Sequence, residues 1–286
     1  MSTQVPRLFH GLIDDAAVFP PGNAPLPEAV PAHRAHRAAW YADLVGPLLV
    51  PPSAVTASEL SGLVDPGTEI GLIGDTGVDR LPFALSFLEP DGVRVRQIET
   101  AVAKRGEDQQ PGLAALVQRT DRLDGIQVYA EIPLAWGLLG ALDTVARARA
   151  SGVPIAAKFR TGGLAAELFP TPVELAAVIC ACRDRELPFK LTAGLHHALR
   201  HTDPETGFNH HGFLNVLVAT SAAVDGAEVG EVAELLASTD PLRLIDPIRV
   251  RREQNRRLWV GFGSCSIIEP LTDLVRLGLI NGGYSA

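Results

Sequence analysis

Eight short runs rich in Val, Ile and Leu recur along the chain, each followed by a polar or Gly/Pro turn and then a stretch of helical periodicity. They are "GLIDDAAVF" (11–19), "PLLVPP" (47–52), "EIGLIGD" (69–75), "VRQIETAVA" (95–103), "IQVYAEIPL" (126–134), "PIAAKFRT" (154–161), "PFKLTAG" (188–194) and "LWVGFGSC" (258–265). Apolar runs of this length read as strands buried on both faces. Helical segments lie between them, among them "PEAVPAHRAHRAAWYADLVG", "GLLGALDTVARARASG", "TPVELAAVICACRDREL" and "EPLTDLVRLGLI". The third opens with Thr171, Pro172 and Glu174, a capping box with proline at the first helical position, and Gly152 closes the helix before the sixth strand. Eight strand–helix pairs predict a single (β/α)8 TIM barrel over residues 1–286, with a long loop after strand 7. An open doubly wound sheet is the competing architecture, but no G-x-G-x-x-G follows the first strand.

The seventh unit breaks the rhythm. Residues 195–212, "LHHALRHTDPETGFNHHG", separate its strand from the helix expected near Phe213, far more than the usual two to six residues. Their polar content predicts a mobile lid that buries little. A further helix near 228–237 and the segment "PLRLIDPIRVRREQNRR" follow. The basic run at 249–257 is interrupted by Glu253 and is expected to be a solvated helix face.

With 286 residues, 47% of them hydrophobic and 20% charged, the chain can bury roughly three quarters of its unfolded surface. A net charge of −8 argues against nucleic acid or an anionic membrane as partner. No apolar stretch reaches bilayer length and no signal-peptide pattern opens the chain, so a cytoplasmic protein is expected. Cys180 and Cys182 fall on a helical pattern as small packed residues, and His33 and His36 read as surface residues of the first helix. No cofactor is called for, and whether the chain forms a homodimer stays open.

An active site in such a barrel forms at the C-terminal strand ends. Polar residues there are Asp14, Asp15, Asp75, Glu99, Glu131, Lys158, Arg160, Lys190, Thr192, His196, His197, Ser264, Cys265 and Ser266. Lys158 and Lys190 end adjacent strands, which lie about 4.8 Å apart. Two ammonium groups held together depress the pKa of one, a route to an amine nucleophile. Lowering a lysine from about 10.4 to 7 takes about 4.6 kcal/mol.

Lys158 with Thr161 and Gly162, Lys190 with Gly194, and "GFGSCSII" at 261–268 together resemble the last three strands of deoxyribose-phosphate aldolases. "LIDDA", "LLVPPSAV", "QIETAVAKRGED" and "VYAEIPL" resemble that family's earlier segments, so the likeness spans most of the chain. The resemblance implies a class I aldolase: Lys158 forms the Schiff base, Lys190 perturbs it, and the strand-eight Gly-Ser turn holds a phosphate. Glu99 stands where the family carries a proton-transferring Asp. The chain departs from the family pattern in that longer carboxylate, in Arg160 beside Lys158, and in the His-rich loop.

The expected catalytic set is therefore Lys158, Lys190 and Glu99. Substrate contacts are expected from Asp14, Asp15, Glu131, Arg160, Thr161, Gly162, Gly163, Thr192, Gly194, His196, His197, Gly263, Ser264 and Ser266. The glycine turns can converge N–H groups on an anion, and Arg160 can clamp a phosphate or a carboxylate. Cys265 reads as a site-lining thiol with no histidine partner. Two other readings remain open. His196, His197, His201, His210 and His211 with Asp203 and Glu205 could hold a divalent metal for a lyase or hydrolase, although no compact ligand spacing is present. The barrel could also be catalytically inactive and serve as a binding protein.

Overall fold

In the computed structural model, residues 5–57, 60, 62–75, 80–88, 92–120, 123 and 125–282 are described. Eight parallel strands close into a barrel: β1 (Ile13–Asp15), β2 (Val45–Val50), β3 (Glu69–Ile73), β4 (Arg94–Ala101), β5 (Gln127–Glu131), β6 (Ile155–Arg160), β7 (Phe189–Thr192) and β10 (Trp259–Ser264). Each strand neighbours the next in chain order, and β10 pairs with β1 to close the ring. The expected (β/α)8 barrel is the fold.

Helices cover the outside. They are α1 (Leu26–Ala38), α2 (Pro52–Thr56), α3 (Leu81–Ser86), α4 (Gln110–Thr120), α5 (Leu138–Ala150), α6 (Pro172–Arg183), α7 (Phe213–Val224), α8 (Val229–Ala237), α9 (Pro241–Arg251) and α10 (Ile268–Arg276). The Thr171 capping box of α6 is formed, with the Glu174 amide donating to Thr171 Oγ1 and the Thr171 amide to Glu174 Oε2. Gly152, at φ +93°, follows α5 in the left-handed conformation that a glycine permits.

Strand alternation divides the core in two. On β6 and β7, Phe159 and Phe189 point outward and meet each other at 6.1 Å between ring centroids. On β10, Phe262 stacks on Trp259 and on Phe213 of α7, an alignment that follows from the register shift between Trp259 and Gly261. The inward set is different in kind. Barrels usually fill their interior with branched aliphatic side chains; here Asp14, Gln97, Glu99, Lys158 and Lys190 are all buried inside. Glycines make the room. A Cβ on Gly46 would lie 1.9 Å from Asp14 Oδ1, and one on Gly71 would lie 3.0 Å from Gln97 Cγ.

The loop after β7 differs from the expected lid. Leu195, Ala198 and His211 are buried, and His201–Thr202 (β8) pairs with Asn209–His210 (β9) as a small antiparallel hairpin. Its apolar residues and the buried His211, which bonds the Pro170 carbonyl at 2.7 Å, pack it onto the barrel. The basic run is also only partly helical. α9 ends at Arg251, and Arg256 turns inward to donate to the carbonyls of Leu8, His10 and Val260.

Candidate active site

Lys158 and Lys190 are direct register partners on β6 and β7, and Glu131 on β5 is the register partner of Lys158 on its other side. Equal height and equal inward parity bring their heads together. Lys158 Nζ lies 2.7 Å from Glu99 Oε2 and 2.8 Å from Glu131 Oε2. Lys190 Nζ contacts Glu99 Oε1 and Asp14 Oδ2. The two ammonium groups therefore straddle one carboxylate, well inside the roughly 10 Å over which salt screens charge. Gln97 ties the acids together, its Nε2 donating to Asp14 Oδ2 at 2.6 Å and Glu99 Oε1 at 2.8 Å. The Tyr129 ring faces Lys190 with its centroid 5.1 Å from Nζ. Arg160 completes the network at the mouth, with Nε and Nη2 each 3.2 Å from Glu131 Oε1.

Three carboxylates and three cations thus balance: Asp14, Glu99 and Glu131 against Lys158, Lys190 and Arg160. Burial alone disfavours every one of these charges, and the contacts decide which survive. Burial would lower Lys158 and Lys190, but Glu99 and Glu131 around the first and Asp14 and Glu99 around the second hold both above the ordinary lysine value. Burial would raise Glu99, yet the two lysines bring it down to about 2. Glu131 is likewise lowered, by Lys158 and then Arg160. Asp14 goes the other way: burial raises it and nearby Glu99 adds to the rise, against the pull of Lys190. The expected depression of Lys158 by Lys190 is therefore corrected. The lysines are neighbours, but the carboxylate between them outweighs their repulsion.

Exposure rises toward the mouth of the network. Lys158 and Lys190 are each 1% exposed, whereas the Glu131 and Arg160 side chains are 15% and 45% exposed. Glu131 and Arg160 also line a cavity of about 490 Å³ bounded by the ends of β4 and β5 and by α5 and α6. Displacing the Arg160–Glu131 pair is the short way from that cavity to Lys158.

The other expected residues divide. Asp15 has the opposite parity to Asp14 and leaves the site: it is buried against His33 of α1, with Nδ1 3.0 Å from its Oδ2, so His33 is no surface residue. His36 is half-buried and bonded to the Tyr41 hydroxyl. The glycine turns are packed on each other. Thr161 Oγ1 donates to the Ala193 carbonyl at 2.7 Å, a Cβ on Gly162 would stand 2.9 Å from Gly194 Cα, and Gly163 faces Leu168. Thr192 ends β7 beside Gly263. Ser264 Oγ donates to the Ser266 carbonyl, Ser266 Oγ accepts from the Glu269 amide, and Asp75 is bonded to Ser53.

The histidines contact one another and α10, His197 meeting His201 edge to face at 4.8 Å between ring centroids. His196 and His197 pair separately with Glu269 (2.9 Å) and Asp273 (3.2 Å) of α10, and His201 stacks on His210. Among the described residues no group of three or more His, Cys, Asp or Glu is placed to hold a metal ion. Cys265 does have a histidine beside it: Sγ lies 3.8 Å and 3.9 Å from the two ring nitrogens of His196. Burial and then Glu269 push that thiol up, so it rests protonated.

Gln97 and Tyr129 join the site without having been expected. Their signal was present, since each lies two residues before an expected acid, Glu99 or Glu131, on the same strand face. So was another. The sequence has three lysines, Lys104, Lys158 and Lys190, against twenty-two arginines, and only Lys104 is exposed. No family model, curated protein or solved structure matches this chain. Among the described residues no helix is long and apolar enough to cross a membrane.

Proposed function

We propose that this barrel is a class I lyase of aldolase type, in which Lys158 forms a Schiff base with a small carbonyl substrate. The observation that carries the reading is Lys158 held between Glu99 and Glu131 and in register with Lys190. Lysine usage supports it. A chain that meets nearly every cationic need with arginine keeps two of its three lysines at one buried point, and lysine, unlike arginine, can give up its proton.

The resting amine is charged, so attack begins with a proton passing from Lys158 Nζ to Glu131 or Glu99, both within 2.8 Å. The freed amine adds to the carbonyl carbon, and the resulting carbinolamine loses its hydroxyl as water, taking one proton back from the carboxyl group. The product is a protonated imine with the same single positive charge as the ammonium it replaces. The carboxylate cage that holds Lys158 charged therefore also stabilises the iminium, with little reorganisation. A carboxylate freed of its proton can then take the β-hydroxyl proton, while the electron pair of the breaking C–C bond passes to the iminium to give an enamine.

The burial of both lysines favours one rival, a barrel that binds without reacting. Deuterium exchange separates the two. On the lyase reading, small aldehydes and ketones exchange their α-hydrogens in deuterated water in the presence of the protein, and Lys158→Ala and Glu99→Gln each lose that exchange at least a hundredfold. No exchange with any of them favours the binding barrel. A cytoplasmic location and a small-molecule partner without nucleic acid belong to this proposal as well.

A further inference from the structure

We infer that the substrate carries a neutral apolar chain, and that this chain lies in the groove between α5 and α6; the inference rests on the Schiff-base reading of Lys158. The groove is the cavity of about 490 Å³ that Glu131 and Arg160 close at one end, a volume typical of small-molecule sites. Because Glu131 touches Lys158 at 2.8 Å, a carbonyl displacing the Arg160–Glu131 pair would leave the rest of its molecule in the groove.

The walls say what that remainder is. Leu134, Leu138 and Leu139 form one side and Leu168 and Val178 the other. The charges present do not call for an anionic tail. Arg105 and Arg160 are outnumbered by Glu131, Glu167 and Glu174, and Arg105 already donates to the Glu167 carbonyl. The glycine turns of β6, β7 and β10, where a phosphate was expected, lie outside this cavity. A simple aliphatic aldehyde or ketone fits these walls better than a sugar phosphate.

The test is reductive trapping with cyanoborohydride along the series acetaldehyde, butanal, hexanal and octanal, quantified by peptide mass mapping. Lys104, exposed and not itself among the residues lining the groove, reports unspecific labelling in the same digest. The expected result is a half-trapping concentration at Lys158 that falls two- to fourfold per added methylene, fourfold corresponding to about 0.8 kcal/mol per buried CH₂, with no such trend at Lys104. Ala177→Phe, which fills the groove from an exposed position on α6 without touching the core, should flatten the series while leaving acetaldehyde trapping unchanged. If acetaldehyde is trapped but chain length has no effect, or Ala177→Phe keeps the trend, the groove inference is wrong and the Schiff-base reading stands. If no aldehyde reaches Lys158, both fall.

Discussion

Glu99 is the residue on which the interior balance turns, because it faces both lysines and is 1% exposed. Removing one partner of a buried ion pair leaves an uncompensated charge and costs about 3–5 kcal/mol. Glu99→Gln keeps the shape and removes the charge, so it should lower unfolding free energy at pH 7 by about 3 kcal/mol, measured by guanidinium denaturation. The pH dependence gives the sign. Its folded pKa is lowered from 4.5 to about 2, so its contribution is present above pH 4.5 and is lost as pH falls toward 2. The gap between wild type and Glu99→Gln should narrow over that window, and a constant gap would count against the ion pairs. Lys158 and Lys190, both raised, contribute below the ordinary lysine value and lose that contribution as pH rises through their folded values. Asp14, raised, acts opposite to Glu99 and favours the folded state most at low pH.

At the scale of elements, the strand ends are joined by backbone packed on backbone. The β6 and β7 turns meet at Gly162 and Gly194, and the nearest neighbours of an added Cβ at Gly162 are main-chain atoms at 2.9 Å to 3.1 Å. Main chain cannot step aside as a side chain can, so Gly162→Ala should destabilise by about 1–3 kcal/mol, the usual cost of overpacking. Gly230 in α8 has nothing within 4 Å of an added Cβ and is helical; Gly230→Ala should stabilise by about 0.4–1 kcal/mol. Urea midpoints moving in the same direction for both would contradict this account of the turns. The strands and their order were legible because hydrophobic period and turn chemistry are local, and the Lys158–Lys190 pairing because adjacent parallel strands hold register. What could not be read was contact across the barrel or between distant loops. Glu99 and Glu131 were legible as acids at strand ends, but that both reach Lys158 followed only once β4 and β5 were placed in the ring, and that reversed the expected shift in its pKa. His196 meets Glu269 across 73 residues, and nothing local marks either for the other. Asp15 was misplaced by a single step of strand parity, which turns a side chain from the barrel interior toward α1.

Across the whole molecule, an aliphatic shell of helices and outward strand faces surrounds a charged axis, and the two have different tasks. The shell holds the barrel, which would gain stability from a hydrocarbon interior in place of ion pairs that must be desolvated. On the proposed reading, a charged interior that stability alone does not call for serves a site whose groups exchange protons. Glu131 and Arg160 connect that interior to the α5–α6 groove. The central claim is that Lys158 is a nucleophile, and three lysines make it directly testable. Borohydride reduction in the presence of acetaldehyde, followed by peptide mass mapping, should place a stable adduct on Lys158 that is absent in Lys158→Ala and weaker in Glu131→Gln. Labelling of Lys190 or Lys104 alone, or no adduct on Lys158, would contradict it.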